Sequence, residues 1–167
     1  PEDKSFIAHE LAHYYFGAGE KVFNSPISNP ICEGFAEFMS FKATREILSE
    51  EIYNGLLQEV FSNIEKKSIY KPISEIKSNE DFINRNSYSY VYFPIILLAI
   101  ESEIGEQLIW EWMKYLLTTE TTFTDYDFLK NGLIKSLGDE GKSNKIIEKY
   151  FISDKSLNNA LNQLKIK

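Results

Sequence analysis

The stretch that decides the interpretation of this chain is Phe6–Gly17, which reads FIAHELAHYYFG. Apart from two histidines and one glutamate, its residues are apolar or aromatic, and no proline interrupts them. This composition predicts a buried helix over about residues 4–16. Gly17 and Gly19 follow as helix stop signals.

Within this helix, His9 and His13 are four residues apart, so both imidazoles lie on one face, one turn above each other. The two imidazoles can therefore coordinate one metal ion from the same side of the helix. Glu10 is turned by about 100° around the axis and stays beside the ion, where a general base is needed. This is the zinc-peptidase signature H-E-x-x-H.

A third metal ligand must come from outside the motif. Catalytic zinc usually takes three protein ligands and keeps a position for water, and the chain has only two histidines. The spacing HExxHxxGxxH is excluded, because its last glycine and histidine would fall on Phe16 and Gly19. The third ligand is therefore a carboxylate or Cys32.

Glu33 is the best candidate for this ligand. Asn29 and Pro30 form a plausible helix start, and the following run to about residue 48 has helical periodicity. Glu37 lies one turn after Glu33 on the same face. We expect Glu33 to bind the metal and Glu37 to accept the spare ring N–H of a ligand histidine. Cys32 stays open as a rival ligand or a small buried apolar residue.

The combination of HExxH with Glu33-Gly34-Phe35-Ala36 resembles the gluzincin metallopeptidases, specifically the M1 aminopeptidase family. Tyr15-Phe16-Gly17 stands where that family has WFG, and Cys32 stands where its NEGFA motif has asparagine. The resemblance implies the helical part of a zincin (thermolysin-like) catalytic domain, one Zn²⁺ ion and a peptide or protein substrate. The family's GAMEN motif, whose glutamate binds the substrate's free amine, is absent from this sequence.

The resemblance also implies a transition-state tyrosine in a segment that opens a helix ending at Gly105. Counting back from that glycine selects Tyr90, with Tyr92 and Tyr88 as alternatives. The chemistry favours a tyrosine independently, because the oxyanion needs a donor besides zinc and both histidines are committed. Arg85 is a less favoured donor.

The predicted function is zinc-dependent peptide-bond hydrolysis by metal-activated water, aminopeptidase-like, with Glu10 as general base. One alternative is a non-catalytic zinc-containing domain, which binds peptides or is purely structural with four protein ligands. Another is an endopeptidase or a glycyl-aminopeptidase-like gluzincin, which shares HExxH followed by EG.

Long segments with 3.6-residue periodicity predict a mainly α chain, with the HExxH helix followed by a helical bundle. We expect helices over about residues 4–16, 31–48, 50–67, 88–104, 106–118, 125–137, 143–152 and 155–165. Residues 1–137 would form the catalytic domain, of which an N-terminal portion lies outside this chain. Residues 138–167 would be a C-terminal helical extension packed on the same domain.

Composition limits the partners. The 167 residues are 43% hydrophobic and carry a formal charge of −7, which argues against a nucleic-acid partner that needs a basic face. The apolar run Val91–Ile100 is too short to span a bilayer and contains Pro94. With Cys32 as its single cysteine, the chain has no internal disulfide.

Overall fold

The computed structural model of the chain describes residues 2–64 and 70–165, with side chains from Lys4 onward. Within these ranges the backbone is mainly α-helical and has no strand, only an isolated bridge between Phe16 and Lys21. The expected mainly α chain is confirmed.

Nine α-helical segments follow one another in the described residues: α1 Glu2–Ala12, α2 Ser28–Ile47, α3 Glu50–Ser62, α4 Arg85–Ser87, α5 Phe93–Ile104, α6 Glu106–Thr118, α7 Tyr126–Leu137, α8 Glu140–Ile147 and α9 Ser156–Gln163. Two π-helical turns, Tyr88–Tyr92 and Glu148–Ile152, extend α4 into α5 and lengthen α8. Two 3₁₀ turns, Ile73–Glu75 and Asn79–Asp81, lie between α3 and α4. Residues 65–67 of the predicted third helix lie outside the described residues.

The prediction that the first helix is buried is wrong. It packs on α2 through the face of His9 and Ala12, so Phe6, Ile7 and Leu11 on its other faces are each more than half exposed.

The first helix also ends earlier than predicted, at Ala12 instead of residue 16. The amides of Ala18 and Gly19 both reach back to the carbonyl of His13, at 3.1 and 3.3 Å. Gly17 has φ of 115°, a conformation that a residue with a Cβ rarely adopts. The chain therefore reverses one turn earlier than the apolar pattern indicates, and His13 lies in this turn.

α1 packs antiparallel along α2. Near its start Ser5 Oγ lies 2.9 Å from Ser40 Oγ, and beyond its end Phe16 stacks on Phe35 with ring centroids 4.5 Å apart. Between these contacts α1 faces α2 at the level of Glu37. The antiparallel pairing thus brings the histidine motif over the glutamates of α2.

The core fills the space between α2, α5 and α6. Phe35 contacts Phe93 and Trp112 edge-on, and Trp112 in turn lies against Phe151. The C-terminal helices close this core from the other side, where Tyr92 Oη lies 2.7 Å from Ser156 Oγ. Among the described residues, no helix is both long enough and apolar enough to cross a membrane.

Candidate metal centre

Three side-chain atoms converge where α1 meets α2. His9 Nε2 lies 3.2 Å from His13 Nε2 and 3.3 Å from Glu33 Oε2, and His13 Nε2 lies 3.4 Å from the same oxygen. An ion held tetrahedrally with bonds of about 2.0–2.1 Å has ligand atoms about 3.3–3.4 Å apart. The triangle therefore has the size of one face of a tetrahedral zinc site.

The ring orientation of His13 is fixed by the turn that follows α1. Its Nδ1 lies 2.9 Å from the carbonyl oxygen of Phe16. A carbonyl only accepts, so Nδ1 carries the proton and donates it. The Nε2 lone pair then faces the triangle, as a metal ligand requires.

His9 is oriented in the same way by Glu37 on α2. Its Nδ1 lies 2.9 Å from Glu37 Oε2, and an ionised carboxylate only accepts. Burial lowers the pKa of His9, but the hydrogen bond and charge of Glu37, together with Glu33, outweigh it and hold this pKa above 6.5. With both Nδ1 atoms donating outward, two Nε2 lone pairs and a carboxylate oxygen face one another. That arrangement calls for a proton or a cation between them.

Glu33 is held by two further side chains. The Tyr90 hydroxyl donates to Oε2 at 2.7 Å, and Asn29 Nδ2 donates to Oε1 at 3.5 Å. From the sequence, Asn29 is expected only to be part of a helix start. Its position four residues before Glu33 is the signal that could have identified it, because both residues lie on one helix face.

The three candidate tyrosines lie on the π-helical turn Tyr88–Tyr92, and only Tyr90 points toward the metal-ligand candidates. Tyr90 is 40% exposed and its ring lies 5.8 Å from that of His9. Its pKa is raised, first by burial and then by the hydrogen bond and charge of Glu33. This turn carries the tyrosine that reaches the cluster, consistent with the frequent use of π-bulges at functional sites.

The alternatives Tyr92 and Tyr88 do not reach the cluster. Tyr92 is fully buried, its hydroxyl is paired with Ser156, and burial raises its pKa to about 12. Tyr88 is buried as well and donates to the Lys71 carbonyl at 3.1 Å. Both point into the core because they lie two residues from Tyr90 along the helix, on a different face.

Glu10 lines an open cleft together with His9, Glu37 and Tyr90. The structure thus brings the expected general base to the same cavity as the expected donor. Arg85 is exposed at the start of α4, where its carbonyl accepts from Ser89.

Cys32 is not part of the cluster. Among the described residues, the histidine, cysteine and acidic side chains whose ligand atoms converge are His9, His13 and Glu33, within 4.8 Å of one another. Cys32 is buried beside Gly17, and burial raises the pKa of its thiol. It therefore takes the role of a small buried apolar residue.

Comparison with known proteins adds nothing to this geometry, since no family model, curated protein or solved structure matches the chain.

Proposed function

We propose that this chain is part of a zinc metallopeptidase and hydrolyses peptide bonds, with an aminopeptidase-like activity of the gluzincin type. The observation that carries the proposal is the triangle of His9 Nε2, His13 Nε2 and Glu33 Oε2, with edges of 3.2–3.4 Å. Two imidazoles and one carboxylate are the donor set of open catalytic zinc sites. One Zn²⁺ ion fits these three residues.

The arrangement of the helices supports a zincin-type catalytic domain. The motif helix supplies His9 and Glu10, and the next helix supplies both Glu33 and its neighbour Glu37. Each histidine has its second nitrogen fixed by an acceptor, which sets the tautomer needed for metal binding. A structural zinc site would be closed by a fourth protein ligand. Here the converging group of the described residues has three members and borders an open cleft.

The cleft offers the groups that hydrolysis needs. When bound, zinc would polarise the scissile carbonyl and lower the pKa of water beside it. Glu10, exposed on the cleft side of α1, would accept a proton from that water and deliver it to the leaving amine. The Tyr90 hydroxyl, which donates to Glu33 Oε2 at 2.7 Å, would turn from this oxygen to donate its proton to the oxyanion.

Replacing the general base tests the proposal. We expect Glu10→Gln to bind one equivalent of zinc like the parent chain and to lose about 10²- to 10⁴-fold in peptide hydrolysis, the usual contribution of a general base. Zinc is measured by elemental analysis, and turnover by mass spectrometry of a peptide library. Glu59→Gln, which changes an exposed carboxylate on α3, is the matched control and should change neither value.

Two outcomes would overturn the proposal. Full activity in Glu10→Gln would remove the proposed base. A zinc-loaded parent chain that cleaves no library peptide would favour the non-catalytic zinc-containing domain instead. Comparing free and N-acetylated peptides separates the exopeptidase from the endopeptidase, since an aminopeptidase requires the free amine.

A further inference from the structure

The cleft beside Glu10 extends away from the metal-binding triangle along α1. Its volume is about 300 Å³, and it is lined by Ser5 and Phe6 in addition to His9 and Glu10. Ser5 lies one helical turn before His9, and Phe6 one turn before Glu10, which corresponds to about 5.4 Å along the axis. When a substrate is bound beside Glu10, one of its side chains can therefore extend into this part of the cleft.

Two apolar residues form walls of this extension. Phe6 on α1 is 64% exposed, and Leu56 on α3 contributes the second apolar wall. The Tyr90 ring adds a further wall near the triangle. A volume of about 300 Å³ is at the lower limit for ligand pockets, so it suits one side chain more than a longer peptide segment.

The polar groups at the far end are already paired. Ser40 Oγ donates to the Ser5 carbonyl at 2.9 Å, so the Ser5 hydroxyl donates its own proton to Ser40 Oγ at 2.9 Å. The carboxylate of Glu37 lies at the near end, where His9 Nδ1 donates to it. Among the described residues, no lysine or arginine lines the cavity.

We propose that this cavity selects a bulky apolar side chain on a residue flanking the scissile bond, with Leu56 and Phe6 as specificity-determining residues. The proposal rests on the proposed peptidase function. An acidic substrate side chain would meet Glu10 and Glu37 without a cation. A basic one would carry its charge beyond these two carboxylates to the far end, where the hydroxyls of Ser5 and Ser40 are already paired with each other and with backbone.

Leu56→Trp tests the proposal by filling the cavity. Two peptide series are used. In one series the residue before the scissile bond is varied as Gly, Ala, Leu, Phe, Lys or Glu, and in the other the residue after it is varied in the same way. In one of the two series, the parent zinc-loaded chain should cleave the Leu and Phe peptides with a kcat/KM at least about 10-fold higher than that of the Gly peptide. Leu56→Trp should cancel this advantage and leave the Gly and Ala peptides within about 3-fold. Ile47→Trp adds the same ring at an exposed position of α2 outside the cavity and should keep the parent preference.

A second variant and a second readout keep the result interpretable. If Leu56→Trp does not fold, Leu56→Ala should lower the Leu-over-Gly ratio by removing one wall. Binding of the same peptides to zinc-loaded Glu10→Gln, measured by calorimetry, should follow the same order without any turnover.

The outcomes separate this inference from the proposed function. Hydrolysis without residue preference, a preference for Lys or Glu, or an equal loss on all peptides in Leu56→Trp would overturn the pocket. No hydrolysis by the parent chain, together with ordered binding to Glu10→Gln, would leave the pocket standing and remove the peptidase.

Discussion

The helix α2 borders two regions that are built in opposite ways. On one side Phe35 and Phe38 enter a core that is closed to solvent. On the other side, Glu33 and Glu37 face α1 and remain partly exposed. The two faces belong to one helix and are separated by about half a turn.

The two regions also differ in how their polar atoms are satisfied. In the core, Trp112 Nε1 donates to the Leu129 carbonyl at 3.1 Å, as buried donors generally do. At the triangle, two nitrogen lone pairs and a carboxylate oxygen lie within 3.4 Å of one another. The core thus stabilises the chain by itself, whereas the triangle reaches its lowest energy only with a positive charge in its centre. Changes in the core should alter stability, and changes in the triangle should alter ion binding.

The largest expected effect is on the core side of this comparison. Trp112→Ala removes a fully buried ring and its hydrogen bond, which should lower the free energy of unfolding by about 3–5 kcal/mol. Urea denaturation followed by circular dichroism measures this change. Trp110, two residues away and 36% exposed, is the matched control. A loss in Trp110→Ala equal to that in Trp112→Ala would contradict the assignment of the core.

On the triangle side, Glu33→Ala should weaken zinc binding by more than the 10- to 100-fold typical for loss of an outer partner, because a ligand itself is removed. The unfolding free energy of the metal-free chain should change much less than in Trp112→Ala. Competition with a chelator measures the affinity. Glu46→Ala, on an exposed position of the same helix, should bind zinc like the parent chain. Unchanged affinity in Glu33→Ala would move the third ligand elsewhere.

Gly34 connects the two regions, since it follows Glu33 and faces the core. A Cβ at this position would lie 2.3 Å from Phe93 Cδ1. Gly34→Ala should therefore cost about 1–3 kcal/mol in stability through overpacking, and the shift should weaken zinc binding as well.

Gly55 on α3 is the control for this substitution, because a Cβ there would have no neighbour within 4 Å among the described residues. Gly55→Ala should stabilise the chain by about 0.5–1 kcal/mol, since alanine restricts the unfolded chain. Equal melting temperatures for the two variants would contradict this prediction, because they would mean that the core accommodates a Cβ at Gly34.

The smallest expected effect lies away from both regions, at Glu103. Its Oε2 accepts from Lys149 Nζ at 2.6 Å and from the Tyr150 hydroxyl at 2.7 Å. Burial raises the pKa of Glu103, but these two partners outweigh it and hold the pKa below 4.5. Because the folded-state pKa is lowered, the stabilisation is present above pH 4.5 and is lost as the pH falls through the folded value.

Glu103→Gln keeps an acceptor and removes the charge. It should cost less than about 1 kcal/mol at pH 7, since the pair is partly exposed, and nothing at low pH. Denaturation at several pH values measures the difference between the two chains. A difference that persists at low pH would show that packing, not charge, is responsible.

The helices could be predicted because apolar periodicity is a local property. The positions of His9 and Glu10 on α1 follow from helical spacing, as does the common face of Glu33 and Glu37, whereas His13 lies in the turn after α1 and is oriented by the Phe16 carbonyl. The end of α1 could not be predicted in this way, because two amides beyond it return to the His13 carbonyl and reverse the chain. Helical spacing separates Tyr90 from Tyr88 and Tyr92, which lie four residues apart on one face, but only the packing against α2 decided that the face of Tyr90 meets Glu33.

By itself, the sequence determined the mainly α character and the spacing of residues within each helix, since both depend on neighbours three or four positions apart. Only the tertiary structure decided that Glu33 Oε2 meets the two histidine nitrogens at 3.3 and 3.4 Å and that Tyr90 reaches this oxygen. It also brought Leu56 and Phe6 into the lining of one cleft. These contacts join residues that are 20 to 57 positions apart in the chain. Their distances depend on how whole helices pack against one another, and a local sequence pattern does not determine this packing.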